Sequence, residues 1–421
     1  MNMTSEQKTT VYIIIPGEGY VPAGILKHFP MREHSTFRYG KKYLQRPNAL
    51  PIDPVKLPLM DTAFGTPKGQ KIFNVFRDAA PDRWGRLVLS IVTGIDPDDM
   101  TELDILTALS PKHRIGALAF GPDPFSGPQS TLSRYEENHF EKENDLKKIA
   151  RYVRLVDQID DDEIDNFRKT LSQEDLFNIF VPSLSPAGGA RPKALVTYDG
   201  TDWIAKFRKR RDRWDEPVIE HACMTLAREC GIIVPETRIV QEENSNILLV
   251  KRFDKDAAGN LLHFASGFTI ADFIEDESWG GYQDLAEAAR RYGAVNTGEQ
   301  IFRRMLFNIC CANTDDHPRN HAFFIHREKI ELTPAYDIAP CRFHFDSYDL
   351  ALKVGKQGRL ATFENAMSDI GPFGLNEEEA LLILTEIKTI FSGWREHFKK
   401  VGVNSKDIES LSLRFSHSNL G

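Results

Sequence analysis

No run of apolar residues in this chain approaches the roughly 18 that a membrane-crossing helix requires. The longest early run, Val11 to Ile15, stops at Pro16. The first ten residues are mostly polar and lack the apolar stretch of a secretory signal. Cysteine is scarce, with five residues in 421, and all of them lie after position 222. An odd and clustered set is no disulfide framework, so a reducing, cytoplasmic compartment is expected. A large excess of one charge is also missing: 53 Lys+Arg stand against 61 Asp+Glu, a net charge of -8. That excludes a general polyanion binder and leaves room for local basic patches. Internal repeats and low-complexity tracts are absent, which excludes collagen, coiled coil and a disordered tail. What remains is ordinary globular material, 41% hydrophobic and 27% charged. At roughly 150 residues per domain, its length predicts two or three domains.

Along the chain, residues 11–65 read as short strands and turns, punctuated by Gly17, Gly19, Gly24, Pro47, Pro51, Pro54 and Pro58. Two short helices are expected on either side of Ala80-Pro81-Asp82, another over 102–109, and a strand over 115–120. The Pro/Gly/Ser-rich stretch Gly121 to Gln129 is a candidate boundary. Residues 144–180 read as helical and acidic. A small-residue loop follows, Ser183 to Lys193, and then two β-like runs separated by Asp199-Gly200, a hairpin signal. Val218, Ile219, Ala222, Cys223, Leu226 and Ala227 recur at helical spacing, with Gly231 placed as a cap. Strands are expected near 237–241 and 246–251. After Asp254 the character turns mostly helical, with apolar periodicity over 299–312. A capping-box start at Asn376 and Glu379 opens a long helix toward Lys400. The predicted fold class is α+β and bilobal, resembling a protein kinase. It has a mixed α/β N-terminal part with small sheets and an all-helical C-terminal lobe. The predicted division is 1–125, 126–254 and 255–421.

Four features carry chemistry. The loop Ser185 to Lys193 holds Gly188, Gly189 and Ala190, small residues that let backbone N–H groups approach a phosphate. It is not a P-loop, because no G-x-x-x-x-G-K-S/T pattern exists here. Lys206 interrupts the apolar strand Trp203 to Phe207 and could reach phosphates. Glu220, on the next helix, is a candidate ion-pair partner for it. The third feature is Asn313-Thr314-Asp315-Asp316-His317-Pro318-Arg319-Asn320, where Asp315 and Asn320 have the D-x-x-x-x-N spacing of a kinase catalytic loop. Asp316 fits the same pattern loosely, four residues from Asn320. The fourth is Asp337, which follows a short hairpin, in a Y-D-I setting rather than D-F-G. Hard oxygen donors of this kind suit Mg²⁺. A competing zinc-hydrolase reading would gather Asp315, Asp316, His317, His321 and His344. However, Pro318 breaks the helix that would align His317 with His321. The dense basic run Lys206 to Arg213 fits ATP phosphates, an acidic substrate, operator DNA or plain solvent.

At these residues the sequence resembles the HipA family, the serine/threonine kinase toxins of bacterial toxin–antitoxin modules. Phe76 to Arg86 is similar to the family's F-x-D-x-L-P-x-x-W-G-R signature, with Ala80 where leucine is usual. Gly188 to Ala194 resembles its glycine-rich loop, and Leu249 to Asp254 its hinge. Asn313 to His321 and Thr333 to Asp337 resemble its catalytic and metal motifs. The resemblance implies Asp315 as catalytic base and Asn320 and Asp337 as holders of Mg²⁺. It implies Lys206 on the ATP phosphates and the backbone at Lys251 and Phe253 against adenine. Ser185, or failing that Ser183, would be autophosphorylated. The implied substrate is a translation-related protein such as an aminoacyl-tRNA synthetase. The implied partner is a small helix-turn-helix antitoxin, HipB-like, through which operator DNA is met. The alternative is a catalytically weak, kinase-like module that acts as co-repressor with such an antitoxin.

Overall fold

In the computed structural model of the chain, residues 6–132, 146–157, 164–172, 191–242, 244–274, 279–341 and 347–415 are described. They divide into two compact units. The first holds Met1–Arg210, Arg252–Ala265 and Ile325–Arg327, and the second holds Arg211–Lys251, Ser266–Phe324 and Glu328–Gly421.

The first unit opens with β1 (Gln7–Ile15), β2 (Gly19–Phe29) and β3 (His34–Tyr39). These are followed by helix α1 (Lys41–Leu44) and strand β4 (Ala63–Gly65). With β5 (Leu118–Gly121) they form an antiparallel sheet of order β4-β3-β2-β1-β5. The β1–β2 register slips between Val11 and Tyr12, opposite Pro22, a residue that cannot donate to the ladder. Between β4 and β5 lie α2 (Asn74–Asp78), α3 (Arg83–Thr93) and α4 (Glu102–Ala108). The predicted break at Pro81 is therefore real. Asp82 caps α3 by accepting a hydrogen bond from Gly85 N at 2.8 Å. Phe37, Phe73, Phe76 and Phe120 stack edge-on or tilted in the core, with centroids 5.8–6.1 Å apart. The stretch 121–129 closes as a turn, with Gln129 N donating to Phe120 O at 2.9 Å. Helices α5 (Leu146–Val156) and α6 (Ile164–Thr170) follow, and then the hairpin of β6 (Lys193–Tyr198) and β7 (Thr201–Phe207). Its turn places Asp199 and Gly200 at φ 50° and 68°, the left-handed pair that a two-residue hairpin needs.

The second unit begins with α7 (Glu216–Glu229), an apolar-faced helix whose last carbonyls are closed by Cys230 and Gly231. The hairpin of β8 (Thr237–Glu242) and β9 (Ser245–Lys251) follows. The chain re-enters this unit at the last residue of β10 (Phe264–Ser266), and after α8 (Gly267–Ile270) come α9 (Tyr282–Arg291) and α10 (Thr297–Cys310), which pack on each other. The short pair β11 (Ala322–Ile325) and β12 (Ile330–Leu332) comes next. Between Leu332 and Thr362 the described residues carry isolated bridges but no helix or strand. Helices α11 (Phe363–Met367), α12 (Glu377–Ser392), α13 (Trp394–Lys400) and α14 (Ser405–Phe415) complete the unit. The capping box at Asn376 and Glu379 is present, with reciprocal bonds of 3.0 and 2.9 Å. The long helix expected from there to Lys400 is interrupted, because Gly393 ends α12 and α13 starts afresh. Among the described residues no helix is long and apolar enough to cross a membrane.

Candidate active site

The loop after α10 is built to present one aspartate and bury the next. Ala312 turns the chain out of the helix in left-handed backbone, φ 52°. Asp315 is exposed and Asp316 is buried. The Asp315 carbonyl accepts from His317 N at 2.8 Å and from Asn320 Nδ2 at 3.0 Å. The five-residue spacing noticed in the sequence is therefore the span of a closed turn. Asn320 sits at the end of a single turn begun by Pro318. Its Nδ2 is committed to that carbonyl, which orients the amide and turns Oδ1 the other way.

Asp316 anchors this loop. Its Oδ2 accepts from Tyr282 OH at 2.6 Å, from Asn308 Nδ2, and from His321 Nε2 at 3.0 Å. Asn308 Oδ1 accepts in turn from Asn313 Nδ2 at 3.0 Å. Burial opposes ionisation of Asp316, but the His321 charge and these donors outweigh it and hold the carboxyl below its ordinary range. The looser reading of Asp316 as the reactive carboxylate is thereby set aside, since the residue is buried and its Oδ2 is held by three structural donors. His321 Nε2 is committed to Asp316, and His344 lies outside the described residues. Among the described residues no three His, Cys, Asp or Glu side chains are gathered as a metal site.

The Asp315 carboxyl is raised above its usual value, although the residue is exposed by surface area. Loss of hydration is the main cause. His317 opposes the shift, and Asp337 and Asp316 add to it. Asp337 is thus close enough to repel Asp315. It is held at φ 61°, a left-handed conformation that costs energy for a residue with a side chain. Its segment is tied down on both sides. Ala335 N donates to Ile233 O at 2.8 Å, and Cys341 N donates to Ala312 O at 2.8 Å. Tyr336 OH donates to Arg319 O at 2.7 Å. The Asp337 carboxylate and the Asn320 amide oxygen are hard donors of the kind that fits Mg²⁺, and a divalent cation would offset the repulsion between Asp315 and Asp337. The residues present therefore fit the ion.

The other candidates are placed as follows. Lys206 lies on β7 in the first unit, directly opposite Lys193 on β6. Glu220 is buried on α7 in the second unit. Lys251 closes β9, where its N–H donates to Glu236 O at 2.9 Å. Phe253, half-buried, belongs to the first unit beside a braced pair. Arg252 and Asp254 bond each other at 2.7 Å, Arg252 Nη2 donates to Arg114 O at 2.8 Å, and Asp254 accepts from Gly116 N at 2.8 Å. Ser183, Ser185, Gly188, Gly189 and Ala190 lie outside the described residues. Sequence reasoning missed Tyr282, Asn308 and the role of His321 as a loop anchor. It also missed Arg304, a fully buried guanidinium that donates to Thr333 O and whose pKa burial lowers to about 10. The signal within reach was the pairing of a buried polar helix face, Arg304 and Asn308, with the loop it precedes.

Comparison with known proteins follows the same lines. A family model described as HipA-like C-terminal domain matches residues 185–394. One described as HipA N-terminal domain matches residues 19–121. A serine/threonine-protein kinase toxin HipA from Shewanella oneidensis is 27% identical over 201 residues, covering 39% of this chain and 45% of the relative. A putative kinase from Haemophilus influenzae is 28% identical over 154 residues, covering 32% of this chain and 45% of the relative. The chain thus spans less than half the length of these curated relatives. Among solved structures, a chain in the Shewanella oneidensis complex of HipA, HipB and operator DNA superposes with a TM-score of 0.67 at 16% identity. That superposition covers 97% of this chain and 95% of that chain, and it shows a shared fold.

Proposed function

The chain belongs to the HipA family, and from that premise we propose that it is an ATP- and Mg²⁺-dependent serine/threonine protein kinase serving as the toxin of a toxin–antitoxin module. The observation that carries this reading is the pairing of the Asp315–Asn320 turn with the strained Asp337 that repels Asp315. Asp315 takes the proton of the substrate hydroxyl as it attacks, which its raised pKa favours. Asn320 and Asp337 supply the oxygen atoms for Mg²⁺. When bound, the ion would draw charge from the transferring phosphate oxygens. Lys206 binds ATP phosphates, and Gly188, Gly189 and Ala190 offer backbone N–H groups to them. The backbone at Lys251 and Phe253 meets adenine. On this reading the functional division is 1–125, 126–254 and 255–421, and the chain works in the cytoplasm.

The proposed substrates are a translation-related protein, for which an aminoacyl-tRNA synthetase is the first to test, and Ser185 of the chain itself. The proposed partner is a HipB-like helix-turn-helix antitoxin. The test is transfer of label from γ-labelled ATP to the purified chain and to a synthetase panel. Wild type should label. Asp315→Ala should lose at least about a hundredfold in rate, the usual scale for removing a catalytic base. An unlabelled panel, the chain included, would overturn the kinase reading.

A further inference from the structure

The Phe76–Arg86 signature has no part in the chemistry described so far, yet one of its residues reaches the β6–β7 hairpin. Asp82 uses its two carboxylate oxygens separately. Oδ1 accepts from Gly85 N at 2.8 Å and caps α3, while Oδ2 pairs with Lys193 Nζ at 2.6 Å. Lys193 is 1% exposed, an unusual place for an ammonium group, which is costly to bury without a counter-charge. It is the first residue of β6 and stands opposite Lys206 on β7. Residues directly opposite in an antiparallel pair project from one face of the sheet, and like charges there destabilise it. The carboxylate of Asp82 offsets that repulsion and draws the Lys193 ammonium toward α3. The same end of the hairpin is closed by Phe207 N donating to Pro192 O at 3.0 Å.

We propose that Asp82 is a positioning residue for nucleotide binding: through buried Lys193 it fixes the start of β6 and, across the hairpin, the placement of Lys206. The inference rests on the kinase reading, in which Lys206 meets phosphate. It gives the Pro81-Asp82-Arg83-Trp84-Gly85 turn a function beyond ending one helix and starting the next.

The experiment is calorimetric titration of the full chain with Mg·ATP, alongside thermal melting. Asp82→Asn keeps an oxygen for the cap and removes the charge. Lys193→Met removes the ammonium and keeps the stem. Each should weaken Mg·ATP binding about tenfold, as expected when one buried charge loses its counter-charge beside the phosphate lysine. Lys193→Arg, which keeps the charge, should stay within about threefold of wild type. The double variant Asp82→Asn/Lys193→Met carries neither charge. It should melt close to wild type yet bind Mg·ATP about as weakly as either single variant, because the start of β6 is left unfixed in all three and the two residues act as one unit. The inference is overturned if the variants melt lower but bind Mg·ATP like wild type, or if the double variant regains wild-type affinity. A wild-type chain that binds no Mg·ATP overturns the kinase reading and this inference with it.

Discussion

Adjacent aspartates have opposite fates in the loop after α10, and the difference is one of hydrogen-bond supply. Asp316 meets three donors in a buried site, while Asp315 loses hydration without such donors to its carboxyl among the described residues and is repelled by Asp337 and Asp316. Composition and spacing could name the pair but could not rank it, because Tyr282, one of the donors to Asp316, comes from α9, 34 residues earlier. Buried histidines offer a test at the same scale. Burial lowers both His113 and His263 to about 4, with His263 Nε2 bonded to Ile52 O at 2.8 Å. The unfolded chain binds protons at these positions near the ordinary 6.5, so below that pH the unfolded state takes up protons that the folded state refuses. Stability should be insensitive to these groups above pH 7 and should fall as pH drops toward 5, by about 2 kcal/mol for each histidine. Urea unfolding at pH 7 and pH 5 measures the difference. His263→Gln should be less stable at pH 7 and show a shallower loss between the two pH values. An identical loss in variant and wild type would assign the pH dependence elsewhere.

Elements with a local period were legible: the Asp199-Gly200 hairpin, the helix over 216–229 and the capping box at Asn376 all reside in short-range pattern. The turn joining Asp315 to Asn320 was also readable, since its closing bond spans five residues. What escaped were contacts between elements. Asp82 and Lys193 are 111 residues apart, and Tyr282 and Asp316 are 34 apart. No periodicity encodes such pairs. The start of α8 is another case. Gly267 N donates to His321 O at 2.6 Å, and a Cβ there would meet Leu285 Cδ2 and Pro318 O at 2.8 Å. Pro318 and His321 flank Asn320, so a methyl group on Gly267 presses on the catalytic turn. Gly267→Ala should destabilise the chain by about 1–3 kcal/mol, the usual cost of overpacking. Phosphotransfer should fall about tenfold or more, because displacement of a positioned group by a fraction of an ångström is felt in the rate. Denaturation and labelled-ATP kinetics on one preparation check both. Unchanged kinetics in a folded variant would mean the turn tolerates the shift.

At the scale of the whole molecule, charge bears on how operator DNA would be met. A net charge of -8 opposes association with a polyanion, and the basic stretch Arg208 to Arg213 is a local exception within an acidic chain. Recognition of operator DNA is therefore expected to require a basic helix-turn-helix partner rather than this chain alone. The two functional readings diverge on what that assembly needs. In the kinase-toxin reading, Asp337 serves phosphotransfer, whereas a co-repressor needs only the folded surface. Asp337 is half-buried, and its backbone segment is held by Ala335 and Cys341, so Asp337→Ala should leave the fold intact. The variant should keep partner binding in co-purification and keep the partner-dependent gel shift of operator DNA. The chain without partner should give no shift at about 0.15 M salt, where surface charge is screened within roughly 8 Å. Phosphotransfer by the same variant should drop by at least about a hundredfold, and growth arrest on expression should vanish with it. Growth arrest that persists in Asp337→Ala would separate toxicity from catalysis and favour the binding module.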